Sequence, residues 1–207
     1  MGLFCKDSSE KICKYSIKRR ERDIQKGVQE LLSQIPKGFT IAVQDESIFV
    51  YDVITRRKLW LPKGIRPIVT VTGSHQRTCV FGTLTLKGKQ LFRQYDKFNQ
   101  DTFLDYLKQI KKRLGKVILF TERARQHQSK KVKEYLEENK DSIKIRYLPK
   151  GSPEFNAVEE CWRQGKYDLL VSKYYPGFDD LKSSIAKYYR TMHFNLDIVK
   201  YLLRKAN

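Results

Sequence analysis

The apolar positions of the chain recur at two periods, and the period changes several times along it. Between Ser16 and Ile35, the residues Ile24, Val28, Leu31 and Leu32 share one helical stripe, and Pro36-Lys37-Gly38 ends it. Lys18, Arg19, Arg20 and Arg22 load the start of this helix with positive charge, which suits a solvated face and a DNA contact equally. The residues up to about Tyr15 carry little pattern and read as an arm. Phe39-Thr40-Ile41-Ala42-Val43 is a strand-like apolar run that breaks off at Gln44-Asp45-Glu46-Ser47, so a buried strand ending in an acidic pair is expected. Further strands are expected over Ile48–Val53, Ile68–Val71 and Arg77–Leu86, then a turn at Lys87-Gly88-Lys89 and a return strand over Leu91–Tyr95.

The second half alternates helix and strand. Asn99-Gln100-Asp101 caps a helix running to Leu114, with Phe103, Leu104, Leu107 and Ile110 inward and Gly115 closing it. Lys116-Val117-Ile118-Leu119-Phe120 is short and almost wholly apolar, as a parallel strand covered on both faces is. A helix over Ser129–Asn139 and a strand over Ile143–Tyr147 follow. Pro149, Gly151 and Pro153 then exclude regular structure. Asn156 is the expected N-cap of the next helix, with Glu159 placed to close a capping box and Val158 and Trp162 on one face. That places the Glu159 carboxylate on a rigid first turn. Two last helices are expected near Phe178–Tyr189 and Leu196–Lys205, with Tyr174, Tyr188, Tyr189 and Tyr201 as packing residues.

Composition narrows the function. The 207 residues carry 42 Lys+Arg against 23 Asp+Glu, a formal charge of +19, which points to a polyanionic partner, usually nucleic acid. Cys5, Cys13, Cys79 and Cys161 show no zinc-like spacing and read as reduced cytoplasmic thiols. Neither a membrane span nor a signal peptide is visible. The division expected is an arm and basic helix over 1–38, followed by one domain over 39–207.

Three acidic blocks carry the chemistry. The first is the strand that delivers Asp45 and Glu46. The second is Thr121-Glu122-Arg123-Ala124-Arg125-Gln126-His127-Gln128-Ser129-Lys130, and the third is Ser152-Pro153-Glu154-Phe155-Asn156-Ala157-Val158-Glu159-Glu160-Cys161-Trp162. The third resembles the last catalytic block of the DDE transposases of the insertion-sequence and mariner-like branch, Ser-Pro-(Asp/Glu)-x-Asn-Pro-(Ile/Val)-Glu-x-x-Trp, with Ala157 at the usual proline. The second is similar to Asp-Asn-Ala-x-x-His-x-x-Lys, matched by Ala124, His127 and Lys130 but with Glu122 and Arg123 in place of Asp and Asn. Trp60-Leu61-Pro62-Lys63-Gly64-Ile65-Arg66-Pro67 resembles a loop of the same family, either a DNA or subunit clamp or a simple hairpin.

The resemblance implies an α/β, ribonuclease H-like fold: a mixed five-stranded sheet flanked by helices. It implies a catalytic and metal-binding set of Asp45, Glu122 and Glu159 holding two Mg²⁺ or Mn²⁺ ions, and DNA cleavage followed by strand transfer. The implied partners are transposon-end and target DNA, with a homodimer possible. Lys63, Arg66, Arg123, Arg125, His127, Lys130 and Lys150 are the candidate DNA-binding residues, with backbone hydrogen bonding as the other reading of His127. The methylene that Glu122 adds over Asp predicts weakened cleavage, because Mg²⁺ demands near-ideal octahedral geometry. A DNA-binding remnant without catalysis is the alternative reading. The family's N-terminal helix-turn-helix modules find no room here, which implies a catalytic domain or a truncated copy.

Overall fold

The structure is a computed structural model and describes residues 25–51, 63–64, 73–149, 151–171 and 173–203. A helix over residues 25–33 (α1) leads to β1 (Phe39–Val50), β2 (Arg77–Thr85) and β3 (Gln90–Tyr95). Then come α2 (Gln100–Leu114), β4 (Lys116–Thr121), α3 (Lys130–Glu138), β5 (Ile143–Tyr147), α4 (Val158–Leu170), α5 (Phe178–Thr191) and α6 (Ile198–Leu202). Short 3₁₀ turns at Gln126–Gln128 and Pro153–Phe155 precede α3 and α4.

The strands form one five-stranded sheet in the order β3-β2-β1-β4-β5. β2 lies antiparallel to both β1 and β3, while β4 runs parallel to both β1 and β5. This is the mixed sheet that the resemblance implied. Its two faces bury separate cores. Ile41, Val43, Phe49, Ile118 and Phe120 pack with Val28 of α1 and with residues of α4, α5 and α6. Ala42, Cys79, Phe81, Val117 and Leu119 pack under Phe103, Leu107 and Ile110 of α2 and Val132 of α3. β4 contributes to both cores, as its unbroken apolar sequence requires.

β1 is longer than expected. It runs for 12 residues straight through the acidic pair and absorbs the start of the strand expected over Ile48–Val53. The polar run does not end it because its ladder with β2 continues to Val50 and the side chains of Gln44, Asp45 and Glu46 find partners. The Thr121 hydroxyl donates to Gln44 Oε1 at 2.6 Å, and Gln44 Nε2 donates to Glu46 Oε1 at 2.8 Å. The pleat then sends Asp45 and Glu46 to opposite faces. The strand expected over Ile68–Val71 and most of the Trp60–Pro67 loop lie outside the described residues, as do Arg66 and Lys150.

α2 begins with a capping box, in which Asn99 accepts from the Thr102 amide and the Thr102 hydroxyl accepts from the Asn99 amide. It ends at Gly115, whose φ of 76° disfavours a side chain. Ser129 caps α3 by accepting from the Val132 amide. Tyr188 and Tyr189 pack as expected, but Tyr174 is 66% exposed. Among the described residues no helix is long and apolar enough to cross a membrane.

Candidate metal centre

β1 and β4 are neighbours in parallel register, with Val43 beside Phe120. Two residues further on, Asp45 and Glu122 therefore reach the same level and the same face of the sheet, roughly 4.8 Å apart along the hydrogen-bonding direction. Asp45 sits inside β1, and Glu122 follows the last residue of β4. Glu159, in the first turn of α4, comes down from above the sheet. Each of the three offers a carboxylate oxygen, and these oxygens all lie within 4.8 Å of one another.

Asn156 is what holds α4 in place. Its Oδ1 accepts from the Val158 amide at 3.2 Å, and its Nδ2 donates to the backbone carbonyl of Gln44 at 3.2 Å. Ala157 rather than Asn156 stands at the N-cap, and the expected capping box with Glu159 is not formed. A Glu159 folded back on the helix end would leave the cluster; instead Asn156 tethers the helix to β1 and the acid is free to converge.

Trp162 lies one turn beyond Glu159 on the same face of α4. Its Nε1–H donates to Asp45 Oδ2 at 2.8 Å. The indole fits because Gly82 stands opposite Asp45 on β2. A Cβ at position 82 would meet Phe92 at 2.6 Å and the Trp162 ring at 2.7 Å. Gly82, Gln44 and the Trp162 contact were not singled out from the sequence. An isolated glycine inside a strand was the available signal, since it marks close approach of another group.

The electrostatics are those of crowded, partly buried acids. Burial first, then the charges of Glu46 and Glu159, push the Asp45 carboxyl up from 3.8 to about 8. Burial and Glu122 raise Glu159 as well, against the opposing charge of Lys166. Three carboxylates held together against their own repulsion, with oxygen as the only donor atom, fit a hard divalent cation such as Mg²⁺ or Mn²⁺. Histidine and cysteine, which a zinc site would favour, are missing from the cluster.

The basic candidates separate into two groups. Arg123, Arg125 and Lys130 are exposed on the segment that follows Glu122, with the Arg123 guanidinium 5.1 Å from the centre of the Tyr147 ring. Lys63 is exposed in a turn with Gly64. His127 is different and corrects the expectation of a DNA contact, because its ring is fully buried. Nδ1 lies 2.7 Å from the backbone carbonyl of Glu122, and Nε2 lies 2.9 Å from Glu46 Oε1. The ring stacks on Phe103 with centroids 4.0 Å apart. No edge of it is left for a phosphate, and the backbone-bonding reading is the one observed.

Comparison with known proteins agrees with this geometry. No curated protein matches the chain. Among solved structures, the chain is similar to the Mos1 transposase paired-end complex with left transposon end, at 12% identity and a TM-score of 0.65, covering 90% of this chain and 57% of that one. It is similar to the Mos1 strand transfer complex at 12% identity and a TM-score of 0.64, covering 89% and 55%. The chain thus spans little more than half the length of those proteins. It covers 90% of the Mos1 transposase catalytic domain solved with Raltegravir and Mn, at 14% identity and a TM-score of 0.58 over 89% of this chain. At such identities the likeness shows the ribonuclease H-like fold. The family itself is shown by the sequence model for DDE superfamily endonucleases, which matches residues 40–182 and so takes in all three converging acids: the chain belongs to that family.

Proposed function

We propose that this chain is the catalytic domain of a transposase, cleaving DNA strands and joining them to target DNA in a reaction that depends on divalent metal. The observation that carries the reading is the convergence of Asp45, Glu122 and Glu159 in a member of the DDE family. These three residues would hold two Mg²⁺ or Mn²⁺ ions. Such ions, when bound, supply Lewis acidity toward a phosphodiester and lower the pKa of a water.

The chain's own residues do the rest. Trp162 orients Asp45 by donating to Oδ2, and Asn156 fixes the helix that carries Glu159. Glu122 and Glu159 are only partly buried, which leaves the cluster open to a strand of DNA. Arg123, Arg125 and Lys130 neutralise phosphates of that strand beside the cluster, with Lys63, Arg66 and Lys150 as further contacts. Hydrolysis forms a bond from water oxygen to phosphorus and breaks the bond to the 3′ oxygen. The products are a 5′-phosphate and a 3′-hydroxyl, and the latter is the nucleophile for transfer. The similar structures include paired-end and strand transfer complexes, which supports transposon-end and target DNA as partners. Pairing two ends calls for two active sites, so we read the working form as a homodimer. A DNA substrate supports the cytoplasm as its place of work.

Glu122 favours a second reading, a DNA-binding remnant with little catalysis. One assay separates the two: single-turnover nicking of a duplex carrying the element's ends, at low salt, with Mg²⁺ and with Mn²⁺. The proposal expects metal-dependent nicking that falls at least about 100-fold in Asp45→Asn and Glu159→Gln, the scale of losing a charge-stabilising group. Bound DNA left uncut with either metal would establish the remnant.

A further inference from the structure

We infer that His127 is a positioning residue for the metal centre, acting from the opposite face of the sheet through the backbone of Glu122. The inference rests on the proposed metal-binding role of Asp45, Glu122 and Glu159. A carbonyl oxygen only accepts, so the 2.7 Å contact requires His127 Nδ1 to carry a proton and donate it to the Glu122 carbonyl. Glu122 lies just past the end of β4, where no ladder partner fixes its backbone. The Ala124 amide also donates to this carbonyl, at 3.1 Å, from within the same turn, and the His127 ring adds the tie from that turn to β1.

The other end of the ring is fixed in turn. Nε2 meets Glu46 Oε1 at 2.9 Å, and Glu46 accepts from Gln44 Nε2 at 2.8 Å. Gln44 Oε1 accepts from the Thr121 hydroxyl at 2.6 Å. The chain of contacts therefore starts at Thr121, crosses β1, and returns through His127 to Glu122, the residue after Thr121. It passes through Gln44 and Glu46, the two neighbours of Asp45. Asn156 adds the third acid-bearing segment by donating to the Gln44 carbonyl. Gln44, Thr121 and His127 are buried, and Phe103 stacks on the imidazole, so water does not compete for these bonds. The backbones carrying Asp45, Glu122 and Glu159 are thus braced by one polar network that touches none of their carboxylates. Groups behind metal ligands commonly change metal affinity by about 10–100-fold when removed.

Two substitutions separate positioning from mere packing. The amide nitrogen of asparagine overlays imidazole Nδ1, and that of glutamine overlays Nε2. His127→Asn therefore keeps the bond to Glu122, whereas His127→Gln keeps only the bond to Glu46. Both lose the ring and its stacking on Phe103 equally. Mn²⁺ affinity, measured by calorimetry or by electron paramagnetic resonance on the full folded chain, is the readout, with thermal melting in chelator as the control. The expected result is affinity within about threefold of the unaltered chain for His127→Asn and at least about tenfold weaker for His127→Gln, at similar melting temperatures. Equal Mn²⁺ affinity in both variants, with lowered melting temperatures alone, would overturn the positioning role and leave the metal site standing. Failure of the unaltered chain to bind Mn²⁺ would overturn both.

Discussion

Replacing Gly82 by alanine places one methyl group between two caged aromatic rings, and the structure sets the size of the effect. The new Cβ would lie 2.6 Å from Phe92 Cε1, and 2.7 Å and 2.9 Å from Cη2 and Cζ2 of Trp162. Carbon atoms prefer about 3.5–4.0 Å, so roughly 1 Å must be found on each side. Phe92 and Trp162 are both buried and packed edge-to-face at 5.8 Å; Trp162 is also held by Asp45, whereas Phe92 borders a cavity and is the ring with room to yield. Overpacking of this kind costs about 1–3 kcal/mol. If Trp162 swings aside, its hydrogen bond to Asp45 goes too, at about 1–2 kcal/mol. The sum of about 2–5 kcal/mol, at about 2–4 °C per kcal/mol for a domain of this size, is a fall in melting temperature of about 4–20 °C. Mn²⁺ affinity should fall with it, since Asp45 loses its orienting donor. Differential scanning fluorimetry and a Mn²⁺ titration measure the two effects. Adding Phe92→Leu, which removes the ring atom at 2.6 Å, should recover part of the loss, so the two substitutions should be non-additive. A Gly82→Ala protein as stable as the original, with Asp45 still competent for metal, would refute the claim that this glycine gives Trp162 its clearance.

Three further outcomes are expected. Without metal, the proton on Asp45 is bound more tightly in the folded than in the unfolded state. Its stabilising contribution is complete below 3.8 and is lost as the pH rises through about 8. At about 1.4 kcal/mol per pH unit the ceiling on this contribution is about 6 kcal/mol. Melts in chelator should show stability falling between about pH 5 and pH 8, and Asp45→Asn should flatten that slope; an identical slope in the variant would contradict it. Glu122→Asp should raise Mg²⁺-dependent nicking, and raise it more with Mg²⁺ than with Mn²⁺, because Mg²⁺ is the stricter ion about octahedral geometry. Robust Mg²⁺ cleavage with Glu122, unimproved by Asp, would show that the site accommodates the longer acid. Non-specific duplex binding should weaken steeply between low and moderate salt, as the +19 charge requires, and a flat binding constant would argue against phosphate contacts.

The sequence yielded local features well and tertiary partners poorly. α2 was readable from both ends, because Asn99 and Gly115 act on their own helix and need no distant contact. β4 was readable because the apolar run Val117-Ile118-Leu119-Phe120, set between a glycine-ended helix and a polar loop, has few other uses. The continuation of β1 past Asp45 was not, because what sustains it is Thr121 across the sheet and His127 from a later turn. Asn156 shows the same division: its position ahead of a helix was visible, but its bond to Gln44, 112 residues away, was not. His127 carried a correct motif position and a wrong environment. A histidine beside an acidic block suits either a DNA surface or a buried brace, and only burial separates the two. The three acids themselves were legible as blocks, whereas their meeting point depends on the parallel register of β1 and β4.

The proposed chemistry requires that the Asp45, Glu122 and Glu159 carboxylates hold divalent metal. The most direct measurement is a crystal structure of the chain soaked with Mn²⁺, with anomalous scattering recorded at the manganese edge. Anomalous peaks are expected between these three side chains, with Asp45 still accepting from Trp162 Nε1. Saturating Mn²⁺ with no peak among the three carboxylates, or with Glu122 turned out of the cluster, would contradict that chemistry.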